Sequence, residues 1–388
     1  MSDATFQQIA KTFQGLEQVL ADELRELGAE NIQVLKRAVS YDGDNALLYK
    51  ANLHLRTAIA VLVPVESFLA EDPEELYRKA MQFPWDSFFR VTNTFSIQSS
   101  INSPYFTHTQ FASLKLKDAI VDYFRKKTGK RPNIDRENPE FRINLHIHNK
   151  EVTLSFDSSG DALFKRGYRQ RHSEAPLNEV LAAGMIAMSG YKADRIFVDP
   201  MCGSGTLPIE AAMVAMNMPA GYFRREFGFM HWGDFDSELW HSIREAGKEG
   251  IRKQLHFPVI GTDIMPENID KSKRNAHLLR CNALKFGVRD FFDFERPGDG
   301  PLHIMINPPY GERLENETDL VRLYKAIGDE LKKKYTNGQA WIISSNLDAL
   351  KHLGLKPSRK ITLYNGALEC KFECFNLYEG SKKLPKND

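Results

Sequence analysis

Cysteine is scarce: Cys202, Cys281, Cys370 and Cys374 are the four among 388 residues, and no two form a Cys-x-x-Cys pair. In apolar or glycine-rich contexts, such isolated thiols argue against a disulfide framework and against a zinc site, and they suit a reducing compartment. Histidine supplies no metal-ligand spacing either, since His146 and His148 alternate along an expected strand as a solvated pair. Net charge is nearly absent, +1 from 52 Lys+Arg against 51 Asp+Glu, so any nucleic-acid surface has to be local. No run of eighteen apolar residues occurs, and Met1-Ser2-Asp3 does not open a signal-peptide pattern. A soluble cytoplasmic protein without membrane or metal partners is therefore expected. The length suits two or three domains, each able to bury a core.

What is present is more specific. Asn307-Pro308-Pro309-Tyr310 follows an apolar run, His303-Ile304-Met305-Ile306. The Asn307 side-chain carbonyl and the Pro308 backbone carbonyl are both acceptors, and two prolines without N–H groups hold the backbone so that both can face one NH2. Tyr310 offers a ring on which a base can stack. An aromatic amine is a poor nucleophile, and accepting both of its hydrogens directs its lone pair at an electrophile without a base of tuned pKa. The pattern points to an exocyclic amine of a nucleobase. A strand ending in an ordinary Pro-Pro turn has the same composition, so a second motif has to decide.

That motif lies about a hundred residues upstream. Ile196-Phe197-Val198-Asp199 reads as a buried strand, Pro200-Met201-Cys202-Gly203-Ser204-Gly205-Thr206 as a glycine loop, and 207–218 as a helix. A dinucleotide fingerprint would put a third glycine or alanine at 208, where Pro208 instead suits a helix's first turn. A ligand with a carboxylate and a sulfonium fits better, namely S-adenosylmethionine. Asp199 would accept from its amino group, and Met201, Cys202, Gly203, Gly205 and Thr206 would wrap its amino-acid tail. Two further strands end near Asp263, placed for ribose hydroxyls, and Asp290, placed for the adenine amine. Asp, Asp, Asp and Asn would thus line the ligand-binding edge of one parallel sheet. The insertion 220–256 stretches the distance from Asp199 to Asp263 beyond the roughly 20 residues of a simple fingerprint. Its aromatics, including Phe227, Phe229 and Trp240, are assigned to packing.

Asp199-Pro200-Met201-Cys202-Gly203-Ser204-Gly205-Thr206, Asn307-Pro308-Pro309-Tyr310-Gly311-Glu312-Arg313-Leu314 and Leu363-Tyr364-Asn365-Gly366-Ala367-Leu368-Glu369-Cys370 resemble the THUMP-domain RNA methyltransferases. The chain is most similar to the bacterial 23S ribosomal RNA guanine-N2 group. The likeness extends upstream through Lys115-Leu116-Lys117-Asp118, Arg131-Pro132-Asn133-Ile134-Asp135-Arg136 and Lys165-Arg166-Gly167-Tyr168-Arg169. It implies an α/β fold: a seven-stranded Rossmann-like class I methyltransferase domain at 161–388, preceded by an α+β ferredoxin-like region at 1–51 and a THUMP RNA-binding domain at 52–160. It also implies Asn178, Ile264 and Phe291 near the cofactor, and structured RNA, ribosomal by likeness, as partner. Some relatives carry a fused second methyltransferase half, whose activity is not expected here. The Asn-Pro-Pro-Tyr box is shared with adenine-N6 enzymes, so transfer RNA guanine N2 and adenine N6 of RNA or DNA stay open beside guanine N2 of 23S RNA. A non-enzymatic ribosome-assembly factor and a nicotinamide oxidoreductase are the remaining alternatives.

Charge is unevenly spread. Lys115, Lys117, Arg125, Lys126, Lys127, Lys130 and Arg131 lie on and after an expected helix, and Lys165, Arg166, Arg169 and Arg171 lie in an expected interdomain segment. Such runs are usually solvated surface, but beside a base-modifying pocket they become candidate phosphate contacts. Leucines at 16, 20, 24 and 27 predict a helix, 7–13, 32–40 and 46–50 read as strands, and Asn149-Lys150 and Asn365-Gly366 read as hairpin turns.

Overall fold

A computed structural model describes residues 4–169, 177–298, 300–309 and 317–378. The chain forms two compact units, Met1–Thr12 with Leu20–Leu163 and Arg224–Ala246, and Phe13–Val19 with Phe164–Phe223 and Gly247–Asp388.

The first unit is built on one sheet of eight strands: β1 (Phe6–Lys11), β2 (Glu30–Leu35), β3 (Ala38–Gly43), β4 (Ala60–Leu69), β5 (Thr94–Asn102), β6 (Asn133–Ile134), β7 (Phe141–His148) and β8 (Glu151–Asp157). Their order is β2-β3-β1-β4-β8-β7-β5-β6, so the β1–β4 pairing joins the expected ferredoxin-like and THUMP regions into one continuous sheet. Period-two alternation sorts the faces. Phe141, Ile143, Leu145 and Ile147 are buried in a core with Trp85, Phe95 and Phe124, while His146 and His148 on the other face are exposed. The Asn149 turn, at φ +53°, joins β7 to β8 as the sequence predicts.

Two expectations fail locally. The 46–50 stretch is not a strand but part of the helix Asn45–His54, because the Asp44 carboxylate accepts the Leu47 N–H at 2.7 Å and caps it. The single strand expected over 32–40 is a hairpin, β2 turning into β3 at Arg37, which takes up φ +58°. The aromatics of the insertion do pack as expected, and their neighbours are informative. Phe227, Phe229 and Trp240 join Leu24, Tyr41 and Leu48 in one core, with Phe229 stacked on Tyr49 at 4.4 Å between ring centroids.

The second unit holds β9 (Ile196–Asp199), β10 (Val259–Asp263), β11 (Leu284–Val288), β12 (Leu302–Ile306), β13 (Gly338–Ser344), β14 (Arg359–Asn365) and β15 (Leu368–Leu377). The order is β11-β10-β9-β12-β13-β15-β14. The first five are parallel, and β15 and β14 complete the sheet as the antiparallel hairpin foreseen at Asn365-Gly366, with Gly366 at φ +64°. This is the class I methyltransferase arrangement. β9 is flanked by β10 and β12, so chain direction across the sheet switches there, and such a switch point opens a crevice at the carboxyl ends of the strands.

Candidate active site

A cleft of about 450 Å³ opens at those strand ends, a size typical of small-ligand sites. Asp199 ends β9, and after it the chain turns through Gly203 (φ +55°) and Gly205 (φ +84°) into the helix Thr206–Ala215. An added Cβ at Gly203 would meet nothing within 4 Å, so this glycine is needed for its backbone conformation and not to avoid a clash. The loop is fastened from the neighbouring strand. Asp263, ending β10, accepts the Gly203 N–H on Oδ2 at 2.9 Å, and the Met265 N–H and Asn268 amide on Oδ1 at 2.9 and 3.0 Å.

Asp199 is 1% exposed, and burial pushes its carboxyl well above the usual range, partly offset by the Met201 N–H and reinforced by Asp263. A buried carboxylate of this kind gains from a cationic group set beside it. Asp290, two residues beyond β11, caps the short turn Phe291–Asp293 through the Phe292 N–H. The cleft thus combines the buried Asp199 carboxyl, the backbone of a glycine loop and the apolar Ile264, Met265, Phe291 and Phe292 in one lining. That donor set fits S-adenosylmethionine, with its ammonium and sulfonium, carboxylate, ribose and adenine. Asn307, Pro308 and Pro309 follow β12 and line the same cleft. The Tyr324 hydroxyl, from the helix Glu317–Lys334, donates to the Pro309 carbonyl at 3.4 Å and is itself paired with Ser344 Oγ at 2.7 Å.

Of the residues singled out in the sequence, Asp199, Met201, Cys202, Gly203, Thr206, Asp263, Ile264, Asp290, Phe291, Asn307, Pro308 and Pro309 line one cavity. Two candidates stand behind its wall. Asn178 caps the helix Glu179–Ser189 by accepting the Val180 N–H, and a Cβ on Gly205 would press on Ser272 and Phe286. Tyr310 falls outside the described residues. Leu177, Met265, Asn268 and Leu323 also line the cleft and were missed. Met265 and Asn268 follow Asp263 at the spacing of its two Oδ1 bonds, a pattern that only the folded turn reveals.

The basic residues divide. Lys126, Lys130 and Arg131 are exposed. Lys115 pairs with Glu74, Lys117 with Asp118, Arg125 with Asp122 and Lys127 with Asp86, all at the surface, where such pairs exchange readily with other anions. Arg166 and Arg169 require correction. Arg166 is 2% exposed and ion-paired with Glu210, which also accepts from the Tyr168 hydroxyl at 3.0 Å. Arg169 lies 2.5 Å from Glu179 and donates to the Thr206 hydroxyl. The Arg166 guanidinium is thus an internal brace, out of reach of a phosphate, and that of Arg169, 15% exposed, is already engaged by Glu179 and Thr206. The count of cations along 165–171 could not register two glutamates far away in sequence. Arg171 lies outside the described residues, and Lys165 already has a partner.

Comparison with known proteins places this geometry among relatives. A Synechocystis protein, slr0064, provisionally named an RNA methyltransferase, is 37% identical over 371 residues, 95% of this chain and 96% of its own. The ribosomal RNA large subunit methyltransferase K/L of Syntrophotalea carbinolica is 36% identical over 387 residues, 97% of this chain but 54% of its own, so the chain spans about half the length of that relative. Among solved structures, a possible methylase from Clostridium difficile 630 superposes with a TM-score of 0.87 at 33% identity, over 98% of this chain and 100% of that one. SMU.472, provisionally a methyltransferase and crystallised with SAH, superposes at 0.86 and 29% identity over the same shares. Residues 7–62 match the RlmL ferredoxin-like domain and residues 70–157 the THUMP domain. With residues 166–373 matching the RMKL-like methyltransferase domain, the chain belongs to the THUMP-containing, RMKL-like methyltransferase family.

Proposed function

We propose that this protein methylates an exocyclic base amine in structured RNA, with guanine N2 of 23S ribosomal RNA as the substrate and S-adenosylmethionine as the donor. The observation that carries the reading is that Asn307-Pro308-Pro309 and the Asp199–Gly203–Asp263 loop line one cleft. When bound, the cofactor supplies a methyl group on a sulfonium, a carbon electrophile. Asp199, Asp263 and the backbone of 201–206 hold its polar groups, and Ile264, Met265 and Phe291 flank its base. Asn307 Oδ1 and the Pro308 carbonyl accept the two hydrogens of the target amine and orient its lone pair, so catalysis is chiefly positioning. Pro308, Phe291 and Leu323 add an apolar lining to the cleft. Extruding a paired base costs about a few kcal/mol, which stacking on Tyr310 would offset. The ribosomal assignment draws on the name borne by the K/L relatives.

A second reading has one support: a Listeria monocytogenes protein described as a predicted N6-adenine-specific DNA methylase superposes at a TM-score of 0.84 with 29% identity. Methyl transfer into ribosomal RNA, transfer RNA and duplex DNA, followed by mass spectrometry of the nucleosides, separates the two. N2-methylguanosine in RNA is expected, and N6-methyladenine in DNA would replace the present reading. Asn307→Ala should lower turnover about 10²–10³-fold, the range for losing one preorganised hydrogen-bonding group, with cofactor affinity unchanged. Equal loss of both would remove the role given to Asn307.

A further inference from the structure

The amino-terminal unit has a recess of its own, about 80 Å³, that plays no part in the cleft. Lys11, Gln98, Asn144 and Asp157 supply its polar lining, with Ile59 and Leu62 beside them. Register brings these groups together: Gln98 pairs with Asn144 across β5–β7, and Asp157 stands opposite Leu62 across β4–β8. Asp157 is 7% exposed, and its Oδ1 accepts the Ser159 N–H at 2.8 Å. Asn144 is 6% exposed, and among the described residues its side chain has no hydrogen-bond partner. The Asn144 amide thus opens onto the recess, where water or a ligand completes its hydrogen bonds.

The charges narrow what that is. Asp157 repels a phosphate and Lys11 repels a cation, while the two attract one another across the lining. A neutral ligand that presents a donor next to an acceptor satisfies both. The recess is several times larger than the roughly 10–15 Å³ a single water needs, yet far smaller than the cofactor cleft, so it takes one edge of a planar group. We infer that it binds the Watson–Crick edge of one unpaired nucleobase of the RNA, Asp157 accepting from an amino group or ring N–H while Asn144 and Lys11 donate to the adjoining ring nitrogen or carbonyl. This rests on the RNA reading above and adds to it a base-reading contact separate from catalysis.

The test is anisotropy of labelled tetranucleotides on the full chain: oligo-cytidine, oligo-adenosine, oligo-uridine and an abasic strand, with a structured ribosomal RNA fragment in parallel. Cytidine, adenosine and uridine strands are expected to bind about tenfold more tightly than the abasic strand, the effect of one charge-assisted hydrogen bond. Asn144→Ala and Asp157→Asn should each erase that preference and leave abasic binding unchanged. Native-like near-ultraviolet circular dichroism, to which Trp85 in the core of the amino-terminal unit contributes, shows that both variants are folded. Equal binding of all four strands by the native protein, or a preference that survives both substitutions, overturns the inference while leaving the methyltransferase reading intact. Failure to bind the structured fragment as well would overturn both.

Discussion

Asp263 holds Gly203: its Oδ2 accepts the Gly203 N–H at 2.9 Å, tying the end of one strand to the loop that follows its neighbour. The same carboxylate organises the Met265 turn with its other oxygen. Asp263→Asn replaces one acceptor with a donor, and a hydrogen bond to a charged group is worth about 1.5–3 kcal/mol. SAH affinity measured by calorimetry should therefore fall about 10–100-fold. Affinity equal to the native protein would mean that the loop keeps its shape without this tie.

Arg169 separates two kinds of cation. Because it braces Glu179 and Thr206, Arg169→Gln should weaken SAH binding by about tenfold and leave the salt dependence of RNA binding untouched. The exposed Lys130 and Arg131 are expected to behave in the opposite way. Replacing each with alanine should lower the slope of log affinity against log salt by about 0.7–0.9, with SAH affinity constant. A steeper change in slope for Arg169 than for Lys130 would reverse the assignment.

Burial raises the Asp157 carboxyl from 3.8 to about 6, with the Ser159 N–H, Arg142 and Lys11 opposing. The folded state therefore retains a proton there that the unfolded chain has already lost. Stability from this group is complete below the ordinary carboxyl pKa and drains away as pH rises to about 6. Asp157→Asn should remove that loss, making the variant more stable than the native protein at neutral pH by an amount on the order of 2–3 kcal/mol, with little difference near pH ~4. Urea unfolding at the two pH values checks it, and a parallel offset at both would rule the mechanism out. If the same variant also loses base preference, the carboxylate is kept for binding at a cost in stability.

Gly328 lies within the helix Glu317–Lys334, where alanine is ordinarily better than glycine by about 1 kcal/mol. Here the sign should invert. A Cβ at this position would stand 1.8 Å from the Leu353 carbonyl oxygen, and backbone cannot swing aside as a side chain would. Gly328→Ala is expected to destabilise by about 1–3 kcal/mol, read as a lower urea midpoint. A higher midpoint would mean that the Leu353 turn yields freely.

The parallel sheet and its site were legible because each strand is a short apolar run ending in a polar residue. The order of Asp199, Asp263 and Asn307 along one edge is readable from the sequence itself. Side chains that serve this edge from behind are not. Gly205 belongs to the glycine loop and Asn178 was implied by the resemblance alone, yet the first is spent on close packing and the second on a helix cap, and only distances distinguish support from lining. Arg166 and Arg169 show the same limit for charge: a basic run looks like surface until Glu210 and Glu179 are seen beside it. The 46–50 stretch is helical for a local reason, the Asp44 carboxylate that caps it through the Leu47 N–H.

The path of residues Arg224–Ala246 bears on any attempt to divide the molecule. They leave the methyltransferase unit, contribute Phe227, Phe229 and Trp240 to the amino-terminal core, and return. A fragment ended at the linker near residue 163 would lack three of its largest core rings and leave Tyr41 and Leu48 facing water. Grafting the THUMP-containing half onto another enzyme thus calls for two splices, with this excursion carried along as cargo.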